Sequence, residues 1–98
     1  MISNQVIQTS IDELKNITKV DLCVVDLDGL VVAATFESSE ISSELITNFI
    51  QSPADSQIVG GYHMLKILED GDVVYVLVAR GTGADAYMIG KVAVSEIQ

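Results

Sequence analysis

Cys23 and His63, the single cysteine and single histidine of this 98-residue chain, are its most versatile side chains. Together they would make a nucleophile and its base. Cys23, however, stands inside Leu22-Cys23-Val24-Val25, where a free cysteine behaves as a small buried hydrophobe. A metal centre draws on several nitrogen or sulfur ligands, and the chain offers only these two. No catalytic residue, metal ligand or cofactor is therefore assigned. Asp26 and Asp28 flank a turn at Gly29; paired carboxylates can share acid–base work or hold a cation, but in this position they more simply bend the chain. The same reading applies to Glu69, Asp70 and Asp72 around Gly71. Arg80 precedes Gly81-Thr82-Gly83, where a helix is expected to start. A guanidinium beside helix-start N–H groups suits a carboxylate or phosphate, although Arg80 has many acids with which to pair instead. Arg80, Thr82, Tyr62 and His63 form the candidate ligand-binding set. Tyr62, Tyr75 and Tyr87 line a pocket or pack in the core with hydroxyls at its rim, and Met64 and Met88 read as core fillers.

The elements that must position these residues follow from one pattern written twice. An apolar run, an acid–glycine turn and a second apolar run occur over Leu22–Thr35 and again over Met64–Ala79. Asp-Gly between apolar runs is a hairpin signal, because glycine supplies the positive φ that tight hairpin turns need. Leu22–Val25 and Val73–Ala79 are apolar at every position rather than alternating, so both read as strands covered on two faces. They are expected to be adjacent at the centre of a four-stranded antiparallel sheet of order 2-1-4-3. Covering both faces asks for more than three helices readily supply, and a partner subunit is the natural candidate.

Helices precede, separate and follow the hairpins. Ser3 to Thr18 places Val6, Ile7, Ile11, Leu14 and Ile17 at helical spacing, with Ser3 as N-cap. Glu40 to Gln51 carries Ile41, Leu45, Ile46, Phe49 and Ile50 on one stripe, capped by Ser38 or Ser39. Ser52-Pro53-Ala54-Asp55 has Ser at N-cap and Pro at N1, which predicts one further helical turn ending near Gly60-Gly61. Thr82 with Asp85 predicts the cap of a last helix carrying Ala86, Ile89, Ala93 and Ile97. That helix has no stop signal at Gln98, and the chain is expected to continue in a longer protein.

Fourteen acidic residues against five scattered basic ones leave a net charge of −9, which argues against contact with nucleic acid or anionic membranes. Half the residues are apolar, yet no run approaches the roughly 20 residues of a membrane span, and no signal-peptide layout opens the chain. A single cytoplasmic domain is the expectation.

Asp21 to Gly29, with the following Leu30–Thr35, is similar to the start of the sugar-diacid recognition domain. That domain opens bacterial regulators of sugar-diacid utilisation, a family allied to the purine-catabolism regulators. Ser52 to Gln57, Gly61-Tyr62-His63 and Ala86 to Ala93 resemble the N-terminal domain of a clostridial-type branch of these regulators. The resemblance covers nearly the whole chain. It implies an N-terminal sensor on a transcriptional regulator whose missing C-terminal helix-turn-helix binds DNA. Phe36-Glu37-Ser38-Ser39 replaces the Asp-Pro, Arg-Ile-Gly and His-containing segment of the family, so none of its Arg or His residues carries over.

The expected architecture is α+β, of the PAS, GAF and profilin-like kind. The expected function is non-enzymatic sensing of a small metabolite, anionic compounds included. The ligand would settle between the sheet and the segment from Phe36 to Tyr62, and the terminal helices would transmit its binding. The alternative is a ligand-free homodimerisation module, since roadblock-type proteins use this fold class as an assembly platform. Its interface would be built from the apolar faces of the first and last helices and the central strands.

Overall fold

A computed structural model of the chain describes residues 3–37, 41–81 and 83–98. Helix α1 (Asn4–Thr18) begins where the Ser3 hydroxyl accepts the Val6 N–H at 3.2 Å. It ends at Lys19, whose left-handed backbone returns its N–H to Lys15 O. Strands β1 (Leu22–Val25) and β2 (Val31–Ala34) form the first hairpin, followed by helix α2 (Ser43–Gln51). Strands β3 (Ser56–Val59), β4 (Tyr62–Glu69) and β5 (Asp72–Arg80) then run as a meander into helix α3 (Ala84–Ile97).

The sheet has five strands in the order β2-β1-β5-β4-β3, every neighbouring pair antiparallel. This corrects the expected four strands of order 2-1-4-3. The missed strand, β3, occupies the segment expected to be a helical turn. Ser52 is the C-cap of α2 rather than the N-cap of another helix, with its N–H and hydroxyl both donating to Phe49 O. Gly60 and Gly61 stand at φ 60° and 88°, the positive pair that a two-residue hairpin turn requires. That turn sets Val59 opposite Tyr62 and zips Ser56–Val59 onto β4. A helix of one turn is marginal by itself, and pairing with a long neighbouring strand outweighs a local capping signal.

The two strands without alternation do lie side by side: β1 pairs with β5, from Leu22↔Ala79 to Val25↔Val76. Successive side chains point to opposite faces. Leu22, Val24, Leu77 and Ala79 meet Ile7, Ile11 and Leu14 of α1 and Ala86, Ala93 and Ile97 of α3. Cys23, Val25, Val76 and Val78 meet Ile46 and Phe49 of α2. Two helices on one face and one on the other bury all of β1 within a single chain. No partner subunit is required to cover these strands, and the inward faces of α1 and α3 are spent on the sheet.

Helix boundaries also shift. The cap of α2 is Ser42, which accepts the Leu45 N–H at 3.2 Å; Ser38 and Ser39 lie outside the described residues. The cap position of α3 is Gly83, which has no side chain to bond, while Thr82 lies outside the described residues. Val6 and Ile17, counted on the apolar stripe of α1, are 48% and 79% exposed. Among the described residues no helix is long and apolar enough to cross a membrane.

Candidate functional site

Tyr62 and His63 are neighbours on β4 and therefore face opposite sides of the sheet. Tyr62 packs with the α2 layer and stacks on Phe36 at 6.2 Å between ring centroids. Arg80 sits directly across from Tyr62 in the β4–β5 ladder and lays its guanidinium over the Phe36 ring, 5.3 Å from the centroid. Arg80, Phe36 and Tyr62 thus make one ledge on the α2 side. His63 is buried on the other side, 5.5 Å from the Tyr87 ring of α3. Its Nδ1 lies 3.2 Å from Gly81 O; a carbonyl only accepts, so this contact places the proton on Nδ1.

Of the candidate set, then, Arg80 and Tyr62 come together, His63 is separated from them by the sheet, and Thr82 lies outside the described residues. The first turn of α3 belongs to the layer where Ala86 is buried, whereas the guanidinium is on the α2 side. Arg80 and the N–H groups at the start of α3 therefore do not converge on one anion. The Arg80 main chain is also tied down, its N–H donating to Asp21 O at 2.9 Å.

Asp21 anchors the same end of the sheet. Lys15 Nζ is 2.8 Å from its Oδ1, and the Thr35 hydroxyl donates to that oxygen at 3.0 Å. The Lys15 ammonium holds the carboxyl below its ordinary value; partial burial opposes this, and Thr35 and the more distant charge of Arg80 assist.

Cys23 is fully buried in the α2 layer and His63 in the α1/α3 layer, so the thiol and imidazole do not meet. Asp26 Oδ1 accepts the N–H groups of Asp28 and Leu30 at 2.9 and 3.0 Å, which is turn-making work. Asp70 and Gly71 form the β4–β5 turn at φ 54° and 86°. Among the described residues no three His, Cys, Asp or Glu side chains are grouped to hold a metal ion. The space expected for a ligand, between the sheet and the segment after β2, is filled by Ile46, Phe49, Tyr62, Met64, Val76 and Val78. A cleft of about 580 Å³ opens at the far end of β4 and β5, between their turn and the last residues of α3.

Two features escaped the sequence reading. Lys66 of β4 spans the end of α2: its ammonium lies 5.2 Å from the Phe49 ring centroid and donates to Ser52 O. A cation at a helix C-terminus is favourable, but the sequence pattern of an apolar strand gives no hint of it. The other is the pair of sheet edges. At one, β3 ends the sheet. Asp55 O accepts the Lys66 N–H, so in the alternating ladder Ser56 and Ile58 turn their backbone groups away from β4. The Ile58 side chain is 54% exposed there. At the other edge, the Gln8 side-chain amide of α1 meets the backbone of Ala34 in β2. Compared with known proteins, the chain matches no family model and no curated sequence.

Proposed function

We propose that this domain is a non-catalytic regulatory module of a sugar-diacid-type transcriptional regulator, and that it acts by joining two copies along the outer edge of β3. The outer edge of β3, which pairs with no further strand among the described residues, carries the reading. Ser56 and Ile58 present N–H and C=O groups outward where the sheet order ends, beside an exposed isoleucine side chain. An edge of this kind is a template for another strand, and the second copy offers an identical one. In this reading the module works in the cytoplasm. DNA contact belongs to further segments of the regulator, because the excess of acidic residues opposes it here.

Sedimentation equilibrium tests the reading. The wild-type chain should form dimers, and Ile58→Lys should be monomeric with an unchanged circular dichroism spectrum, since edge lysines block strand pairing. A monomeric wild type, or a dimer indifferent to Ile58→Lys, overturns it.

A second reading, the sensor of a small anionic metabolite, is favoured by exposed Arg80, whose guanidinium lies over the Phe36 ring that stacks on Tyr62. The ligand class implied by the sequence resemblance is a sugar diacid. Such a compound at 100 times its Kd should stabilise the chain by about 2.7 kcal/mol, read as a rise in Tm, and Arg80→Ala should abolish the rise. No rise with any diacid removes this reading and leaves the pairing reading standing.

A further inference from the structure

We propose that Gln8 is a plug for the β2 edge of the sheet, and that it confines self-association to the β3 edge. The plug is visible in two hydrogen bonds: Gln8 Nε2 donates to Ala34 O at 2.9 Å, and Gln8 Oε1 accepts the Ala34 N–H at 3.1 Å. Thr35 N–H donates to Leu22 O across the β1–β2 ladder, so the alternation leaves Ala34, one residue earlier, with both backbone groups turned outward. A primary carboxamide carries a donor and an acceptor side by side, as a peptide group does. Gln8 therefore occupies the rung that an incoming strand would need.

Its orientation is set twice. Nε2 also donates to Asp12 Oδ1 at 2.9 Å, which fixes which end of the amide is nitrogen. Ile7, the residue before it, and Ile11, one turn on, are fully buried and fasten this stretch of α1 to the sheet. The edge is worth plugging: Leu30 and Val31 beside it are 64% and 49% exposed, an apolar margin that would favour adhesion.

The consequence is geometric. A β3 edge meeting a second β3 edge makes a self-complementary contact that closes at two copies. A β3 edge meeting a β2 edge is head-to-tail, and each addition leaves another edge open. With β2 plugged, only the closed pair remains. This last step rests on the proposed pairing through β3.

The test compares the wild-type chain with Gln8→Ala and Gln8→Glu. Alanine raises helix propensity at this half-buried position of α1, and circular dichroism checks the fold. Amide exchange at Ala34 should accelerate about five- to tenfold in Gln8→Ala, the size expected for loss of one net hydrogen bond. In sedimentation velocity Gln8→Ala should form species larger than any in the wild type, growing with concentration. Gln8→Glu keeps an acceptor for the Ala34 N–H and adds a charge at the edge, so it should stay as small as the wild type. A folded Gln8→Ala with unchanged Ala34 exchange, or with no added association, overturns the plug. A monomeric wild type would remove the β3 pairing instead; new association of Gln8→Ala would still support the plug, and its absence would overturn that too.

Discussion

Gly29 shows how a turn residue can serve two neighbours. Its φ is +83°, and a Cβ added there would lie 2.7 Å from Ser43 Cβ and 2.9 Å from Ser43 Cα. Backbone at the first turn of α2 cannot retreat as a side-chain tip can. Gly29→Ala should therefore cost about 2–4 kcal/mol, joining the strain of a left-handed alanine to overpacking. Gly61 has φ +88° but open space around it, so Gly61→Ala should cost about 1–2 kcal/mol. Urea denaturation of the two variants measures the difference. The Asp-Gly signal made this turn legible in the sequence; the approach of Ser43 was not, because no local pattern encodes which distant helix start arrives there. Asp21 carries the pH dependence of the same end of the sheet. Its carboxyl is more acidic when folded than its ordinary value of 3.8, so its stabilising contribution is complete above that value and disappears as pH falls through the lower, folded one. Lys15→Ala removes the largest cause and should bring the Asp21 titration, followed by carboxyl NMR, back up toward the ordinary range. An unmoved titration would mean that Thr35 suffices.

Among the elements, α2 has the most exposed assignment, since among the described residues it is the one helix on its face of the sheet. Phe49 is its deepest anchor, 1% exposed and capped by the Lys66 ammonium. Phe49→Ala should lose about 3–5 kcal/mol in equilibrium unfolding. Amides of α2 should lose exchange protection before those of α1 and α3, which share the opposite layer. A uniform loss across all three helices would show that the layers melt together. The stripe of Ile46 and Phe49 made α2 legible, and successive side chains of β1 and β5 entering two different buried layers explain why their uniformly apolar runs read correctly as central strands. Strand β3 was hidden for a definite reason. Ser52-Pro53 imitates a helix start, and four residues alternating only weakly carry too little pattern to contradict it. What makes them a strand is the Gly60-Gly61 turn and the long β4 beside it, a non-local cause.

At the scale of the whole molecule, charge opposes the pairing that the edges invite. Each copy carries −9, so two copies repel until salt intervenes. Raising ionic strength from about 0.01 M to about 0.1 M shortens the screening length from roughly 30 Å to roughly 10 Å, and dimerisation should strengthen across that range. Weakening with salt would point to attraction between charges at the interface. The expectation of a partner over the central strands came from counting apolar faces without knowing where the helices divide. Two on one side and one on the other suffice, a division that depends on the crossing of α2 beneath the sheet and not on any local sequence signal. Of the residues expected to share a site, Arg80 and Tyr62 lie on one side by register, while His63, next to Tyr62 in the chain, is turned away by the strand's own alternation.

Cys23, wholly enclosed between β2 and β5, gives the molecule an internal clock. A thiol reagent in solution can modify that sulfur only during moments when the middle of the sheet parts, so the labelling rate counts those moments directly. With reclosure faster than reaction, the rate should climb with added urea on the same slope as global unfolding. A reaction that ignores urea would reveal a smaller breathing motion that exposes β1 while the rest of the domain stays folded.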